Sequence, residues 1–379
     1  MAELELSAPK RAPQREVGQS QTQIAWKQFR KHKLALVGSA ILILLALMAI
    51  FAPFLAPYGV NAYSRENITR YQPPTPIQWR DPDTGRFTGP FVYTYSEQLN
   101  METFETEFGP DLSTKYPVKF FVEGAPYRLF GLIPSTIHLF GVDDPARIFV
   151  MGADSFGRDL FSRILYASQI SLTIGIGASI LSFFIGIVMG ALAGYYGGWI
   201  DELIMRLVEV IAAIPSLFLL LALRAIFPID MNPILLLYII LMILAIIGWG
   251  DLARVVRGQF LSTRELDYVT AAESLGAGSS RIIFRHLLPS VTTYMIVSMS
   301  LAIPGFILAE SGLSFLGVGV SGANASWGSL LSQAQDGGFA TITSRPWLLI
   351  PGYFIVLTIL SFQLLGDGLR DAFDPRKRQ

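Results

Sequence analysis

The chain has 379 residues, of which 52% are hydrophobic and only 15% are charged, and its formal net charge at pH 7 is zero. Soluble domains carry about 25% charged residues, so this deficit indicates membrane spans, while the balanced charge gives no reason to expect a nucleic-acid partner. Cysteine is absent, which excludes disulfides, thiol catalysis and thiolate metal sites throughout the chain.

A polar N-terminal stretch, residues 1–33, precedes an apolar run over 34–56. Its proline and glutamine content predicts a disordered tail. The apolar run has the length of a full membrane span, and no small-residue cleavage site follows it, so we predict an uncleaved anchor and not a secretory signal. The basic residues at its start (Lys27, Arg30, Lys31 and Lys33) place the tail in the cytoplasm.

Residues 57–150 differ in composition from everything that follows, with many prolines, mixed charges and frequent aromatic residues. Short β-like stretches occur at 91–95 and 118–122. Unstructured connections of this length are uncommon inside compact proteins, so a small folded insert is expected here. It lies on the outer side of the membrane, because the anchor before it begins inside.

A polar segment over 151–168, MGADSFGRDLFSRILYAS, leads into an amphipathic helix. It is not a phosphate-binding loop, since the chain contains no Gly-Lys dipeptide. The segment resembles the GTDxxGRDxxSR signature of permease subunits of the dipeptide/oligopeptide class of bacterial ABC importers, with Ala153 where that class usually has Thr. This outer signature comprises Gly152, Asp154, Gly157, Arg158, Asp159, Ser162 and Arg163.

Further apolar runs fill the region 151–370, which is predicted to be a permease core with spans at 168–193, 200–227, 233–250, 292–315 and 347–365. Glycines in the first of these runs permit a close approach of a neighbouring helix. Together with the anchor, the runs make six spans, which put both termini on one side of the membrane. The basic residues of the loops favour the cytoplasm for both termini, including the tail 371–379.

A charged segment interrupts the core at 251–290, and its central sequence over 262–289 is STRELDYVTAAESLGAGSSRIIFRHLLP. Ser262 and Glu265 have the spacing of a capping box, which predicts a helix start. Gly276 then ends that helix, because glycine tolerates a left-handed backbone. A second short helix ends at Pro289, whose missing N–H blocks continuation. The predicted helical hairpin, with small residues beside its bend, suits insertion into a groove of a partner.

This hairpin resembles the "EAA loop" of the same permeases, in which an alanine pair is followed by a glycine and by an Ile–Leu–Pro ending. Thr270 stands where the family usually has Glu, which leaves that position without an acidic group for a salt bridge. The alternative is a cytoplasmic loop that only connects two spans and does not bind a partner. The resemblance implies these ATPase-coupling residues: Asp267, Tyr268, Thr270, Ala271, Ala272, Glu273, Leu275, Gly276, Ala277, Ile283, Arg285, Leu288 and Pro289.

Three ionisable residues lie within predicted spans and are candidates for the substrate path. Arg206 and Glu209 are three positions apart and can pair on one helix face. Glu310 lies in ILAESGLSFLGVGVSGANASWGSLL, which resembles another stretch of the peptide-class permeases. Intramembrane charges usually face the bundle or a water-filled path; the alternative is a structural ion pair or a packing contact. The three histidines are isolated, so neither a metal site nor a catalytic site is predicted.

The apolar runs predict an all-α polytopic membrane protein with about six transmembrane helices, and the composition of residues 57–150 predicts a small extracytoplasmic insert that contains β-like stretches. The resemblance covers about residues 25–56 and 150–376. It implies a permease subunit that moves di- or oligopeptides across the bacterial or archaeal inner membrane, with no cofactor of its own. The implied partners are a second homologous permease, two cytoplasmic ATPases that carry ATP and Mg, an extracytoplasmic substrate-binding protein and membrane lipid. The alternatives are a similar permease for nickel or another small solute, a secondary transporter, and an intramembrane enzyme.

Overall fold

The computed structural model describes residues 21–62, 70–82, 85–99, 101, 106–228, 231–320, 325–335 and 338–373. It is mainly helical, with two small antiparallel sheets between the first and second long helices, which confirms the predicted fold class. Residues 1–20 of the predicted disordered tail (1–25) and the last six residues lie outside the described part of the chain. Residues 21–25 belong to a helix, so the prediction of disorder is wrong for them.

The helices of the N-terminal part and of the core follow the chain order. The bounds are α1 Gln21–Phe29, α2 Lys33–Ile50, α3 Ala52–Leu55, α4 Leu160–Tyr196, α5 Gly198–Ala213, α6 Ser216–Ala225, α7 Pro233–Thr263, α8 Asp267–Ser274, α9 Ser279–Ile282, a π-helical segment Ile283–Leu287, α10 Leu288–Phe315, α11 Trp327–Leu331, a 3₁₀ turn Ser332–Gln335, α12 Gly338–Ser344, a 3₁₀ turn Pro346–Leu349 and α13 Ile350–Phe373.

The insert contains two separate sheets. Strands β1 (Gln78–Arg80), β2 (Phe87–Leu99) and β3 (Thr106–Pro117) form one antiparallel sheet in that order, and β4 (Lys119–Leu129) pairs with β5 (Ile133–Gly141) as an antiparallel hairpin. The hairpin packs against the membrane part, because β4 and β5 both contact α3. His138 of β5 links the hairpin to the residue after α3, because its Nδ1 lies 2.6 Å from the carbonyl oxygen of Ala56.

Helices α4 and α7 are packed closely along their length through three glycines spaced four residues apart. A methyl group added at Gly186, Gly190 or Gly194 would lie 2.6–2.8 Å from a backbone oxygen of α7. Those oxygens belong to Trp249, Ala253 and Arg257, which share the same four-residue spacing. Small residues at this spacing let two helix backbones touch, the usual way that membrane helices associate. The expected role of the glycines in close helix approach is therefore confirmed.

Within the described residues, five helical stretches are long and apolar enough to cross a membrane, and a bent pair raises the number to six if it counts as one span. The bent pair is α5 and α6, whose axes meet at 91°. The predicted span over 200–227 is thus broken within its length: the chain bends at Pro215, which follows the extended residue Ile214. Proline has no N–H to continue the ladder of α5, and it restricts the residue before it to an extended backbone.

Candidate functional site

The segment that links the last turn of α7 to α10 begins later than its sequence suggests. Ser262 lies inside α7, and its hydroxyl donates to the carbonyl oxygen of Gln259 at 3.0 Å. Helix α8 begins at Asp267 after Leu266, without a side-chain cap. The predicted capping box of Ser262 and Glu265 is therefore wrong, because α7 runs well past the predicted end of its span at 250. Serine back-bonding within a helix satisfies its hydroxyl without marking an N-terminus.

Gly276 ends α8 as predicted. Its φ is 81°, in the left-handed region. The N–H of Gly276 donates to the carbonyl of Glu273 at 2.8 Å, and the N–H of Ala277 donates to the carbonyl of Ala272 at 3.0 Å. This pair of bonds is the Schellman motif, which closes a helix through a left-handed residue. The alanine pair and the glycine thus form one compact turn.

Pro289 does not end the second arm of the segment, which corrects the prediction. Helix α9, the π-helical segment and α10 form one continuous helical stretch, Ser279–Phe315. The N–H of Leu288 donates to the carbonyl oxygen of Ile283, five residues earlier, so the helix widens by one residue before the proline. Such π-turns are rare inside helices and are frequent at functional sites. This segment is consequently continuous with the candidate span α10.

One face of the segment is anchored and the other is free. Val269, Ile282 and Leu287 are fully or nearly fully buried, in a cluster with Phe260 of α7. The opposite face exposes apolar side chains, above all Leu275, which is 88% exposed. Among the predicted coupling residues, Asp267, Tyr268, Thr270, Ala271, Glu273, Leu275, Gly276, Arg285 and Pro289 are exposed, and Ala272, Ala277, Ile283 and Leu288 are half-buried.

Two arginines near the end of α7 hold this side of the protein together, and sequence reasoning did not single them out. Two guanidinium nitrogens of Arg257 donate to the carboxylate of Asp201 on α5: Nε to Oδ1, and Nη2 to Oδ2 at 2.6 Å. Arg264 donates to the carbonyl oxygens of Gly194 and Tyr195 at 3.3 Å each, which caps the end of α4. Free carbonyls at a helix C-terminus attract cations. No spacing in the sequence reveals pairs that lie on different helices.

The outer signature folds around the carboxylate of Asp154, which is fully buried. Its Oδ1 accepts the N–H groups of Phe156 and Arg158, both at 2.9 Å, and its Oδ2 accepts the Nε of Arg158 at 2.7 Å. The Nε of Arg163 lies 3.4 Å from the same oxygen. One carboxylate therefore balances two guanidinium groups where little water reaches them. Removing one partner of such a buried ion pair leaves an uncompensated charge, which is strongly destabilising.

The other signature residues connect this cluster to the rest of the outer side. Asp159 caps α4 by accepting the N–H of Ser162 at 2.8 Å. Burial raises the pKa of this carboxyl to about 6, although the hydrogen bonds from Ser162 act to lower the pKa. The indole of Trp347 donates to Ala153 at 3.3 Å. A side chain at Gly152, whose φ is 78°, would collide with that indole. The six other residues of the predicted signature thus stabilise local structure, and Gly157 (φ 74°) forms the turn between them.

The three candidate path residues do not come together. Arg206 and Glu209 pair at 2.9 Å on an exposed face of α5. Glu310 is fully buried in α10, where the hydroxyl of Ser314 donates to it at 2.7 Å and that of Ser171 on α4 lies at 3.4 Å. Within the described residues Glu310 has no cationic partner. Its environment is a set of serine hydroxyls that joins two spans.

A cavity of about 410 Å³ lies among α4, α6, α7 and α10. Its wall is mainly apolar, with polar groups from Ser216, Asp251, Tyr294 and Ser298. Neither the Arg206–Glu209 pair nor Glu310 belongs to this wall. Among the described residues no group of His, Cys, Asp and Glu side chains has the arrangement of a metal site.

Known proteins similar to this chain carry transport names. The family model described as "Binding-protein-dependent transport system inner membrane component" matches residues 186–379, and "N-terminal TM domain of oligopeptide transport permease C" matches residues 20–74. The dipeptide transport system permease protein DppC of Bacillus subtilis is 35% identical over 362 residues, which are 95% of this chain and 87% of that protein.

Two further relatives differ in the substrate named. The oligopeptide transport system permease protein OppC of Bacillus subtilis is 33% identical, over 93% of this chain and 90% of the relative. The glutathione transport system permease protein GsiD of Pectobacterium atrosepticum is 39% identical, over 62% of this chain and 75% of the relative. All three names describe transport of compounds that contain peptide bonds.

Proposed function

The chain belongs to the family of binding-protein-dependent transport system inner membrane components, and we propose that it is the peptide-conducting permease subunit of an ATP-driven importer. The observation that carries this proposal is the similarity, over nearly the whole chain, to dipeptide and oligopeptide permeases. The predicted peptide class and membrane location agree with it. The chain itself supplies the spans, and partner subunits supply ATP hydrolysis.

The coupling segment, defined as residues 262–289, is the surface that we assign to an ATPase partner. Its support is the compact Schellman turn at Gly276, the exposed apolar side chain of Leu275 and the anchored opposite face. An exposed apolar surface on a rigid base fits a groove of a partner without folding cost. A second homologous permease and a substrate-binding protein complete the proposed assembly, and ATP and Mg²⁺ bind to the ATPases.

Movement of the ATPases reaches the spans through two rigid connections. One is the continuous helix Ser279–Phe315, and the other is the end of α7, which Arg257 ties to α5. A conformational signal needs an element with two arrangements, and we assign this role to the bent pair α5–α6, whose axes meet at 91°. The mainly apolar cavity among α4, α6, α7 and α10 borders this pair and is the part of the peptide path that one chain provides.

Uptake by the purified complex tests the function. Proteoliposomes that contain this chain with its partner subunits should accumulate a labelled dipeptide when ATP is present, and unlabelled peptides should compete. The same vesicles without ATP are the control. ATP-driven uptake of nickel that peptides do not inhibit would overturn the peptide assignment while leaving the importer class intact.

The proposed orientation predicts which side of the membrane each loop faces. A cysteine at Ser280, exposed in the coupling segment, should react only with reagents that reach the cytoplasm. A cysteine at Ser113, exposed in β3 of the insert, should react with reagents that cannot cross the membrane. The chain has no native cysteine, so each label is unique to its position in this subunit. The reverse labelling pattern would contradict cytoplasmic termini.

A further inference from the structure

The turn between β4 and β5 consists of apolar residues where a turn in water favours polar ones. Phe130, Gly131 and Leu132 connect the strands, and Ile133 begins β5. Leu132 is 81% exposed, and Phe130 and Ile133 are also exposed. Phe130 has a φ of 54°, a left-handed backbone that is uncommon for a bulky residue. Hairpin turns in water prefer Gly, Asn, Asp and Ser, which fit such a backbone or bond to it.

The other connections between strands of the insert have the ordinary composition. Residues 81–86, between β1 and β2, read DPDTGR, and residues 100–105, between β2 and β3, read NMETFE. The connection between β2 and β3 also exposes an apolar side chain, that of Met101, whereas the β4–β5 turn exposes three apolar side chains within four residues.

This turn lies beside the membrane spans. The ring of Phe130 is 6.0 Å from that of Phe51, which directly follows α2. On the same hairpin, the ring of Phe121 is 6.3 Å from that of Phe54 in α3. Because α2 is a candidate span that ends at Ile50, the turn is level with the outer end of a span and not raised above it.

A groove of about 670 Å³ runs beneath the hairpin, between α2 and α4. Ala46 and Ile50 of α2 and Leu172 and Ile176 of α4 form its apolar sides. Its hairpin side adds Phe130, Tyr127 and Arg128, and Gln169 and Thr173 of α4 add polar groups to the lining. Both helices are candidate spans, so the groove continues the surface that faces lipid. Tyrosine and arginine beside an apolar groove match the headgroup level of a bilayer, where amphipathic side chains gather.

We propose that the turn 130–133 inserts into the outer leaflet and that the groove beneath it holds an acyl chain of a phospholipid, with Arg128 at the level of the phosphate. Lipid is the occupant because the groove is continuous with the spans and because its one cationic side chain complements a phosphate. Insertion removes the apolar turn from water, which favours the arrangement. The inference rests on the proposed function only in one respect: the proposed orientation identifies the leaflet beside the turn as the outer one.

Fluorescence quenching tests the proposal in the assembled complex. A cysteine that replaces Leu132 is labelled with an environment-sensitive fluorophore, in complexes whose partner subunits lack cysteine, reconstituted in phosphatidylcholine vesicles with or without doxyl-labelled lipid. We expect a blue-shifted emission that doxyl lipid quenches several-fold more than aqueous iodide does. A cysteine at Ser113, on the separate sheet, is the matched control and should show the opposite preference. Ile133→Cys provides a second probe should the first labelled variant assemble poorly.

Two outcomes would overturn the proposal. Strong quenching by iodide at position 132 would place the turn in water. Resistance to both quenchers would show that protein covers it, either the second permease or the binding protein. Quenching is measured whether or not the vesicles import peptides, so its result is independent of the uptake experiment.

Discussion

Replacing Gly276 with valine should abolish coupled transport while leaving the protein in the membrane. The φ of 81° at this position is available to glycine but costs a β-branched residue about 1–3 kcal/mol. No atom lies within 4 Å of an added Cβ, so the effect comes from the backbone and not from a collision. The turn then opens and the exposed face of α8 is reoriented. Substrate-stimulated ATP hydrolysis and co-purification of the ATPases measure the loss.

Gly278 is the matched control for this variant. It lies two residues away, has no atom near an added Cβ, and has a φ of −68° that valine adopts readily. Gly278→Val should therefore retain ATPase association. If Gly276→Val complexes hydrolyse ATP and import peptides at the normal rate, the segment is only a connector between two spans.

The largest stability loss is expected from Asp154→Asn in the outer signature. The substitution removes the charge that balances Arg158 and Arg163 in a site with almost no exposure, where breaking a buried pair costs about 3–5 kcal/mol. The amide also offers a donor where the carboxylate accepted three bonds. We expect a lower unfolding temperature of the purified protein and less protein in the membrane.

The exposed pair of Lys119 and Asp143, 2.5 Å apart, provides the comparison. Asp143→Asn should change the free energy of unfolding by at most about 1 kcal/mol, because water screens an exposed pair. Equal losses in the two variants would mean that Asp154 has no special role. Measuring peptide uptake at a temperature where both variants remain folded separates a stability effect from a transport effect.

The spans and the left-handed turn could be read from the sequence because each depends on local chemistry. A run of apolar residues has few uses other than a bilayer, and Gly276 follows the last turn of a helix. Prolines were harder to interpret. Pro215 breaks the chain, Pro304 lies inside the unbroken α10, and Pro289 follows a π-turn. Neighbouring helices decide which outcome occurs, since they can satisfy the carbonyls that a proline leaves free.

The contacts that organise the two ends of the core were not predictable. Arg257 meets Asp201 fifty-six positions away, and Ser171 approaches Glu310 from another helix. A residue in a span shows its own polarity in the sequence but not its partner. The outer signature was recognised as a motif, yet the convergence of two arginines on Asp154 appears only in three dimensions. The ATPase-coupling residues and the substrate path stay predictions.

The glycine contacts between α4 and α7 have a mechanical consequence. Over residues 186–194 of α4, where the backbones touch at three successive turns, no side-chain layer separates the two helices, so they are stiffly joined there. Helix α4 has 37 residues, about 55 Å at the usual rise per residue. The first turn of α4 lies at the signature. At the other end of α4, Arg264 donates to a backbone carbonyl oxygen, beside segment 262–289. A tilt imposed at the Arg264 end of α4 should therefore become a displacement at the signature end, with its size set by the length of the helix rather than by side-chain repacking.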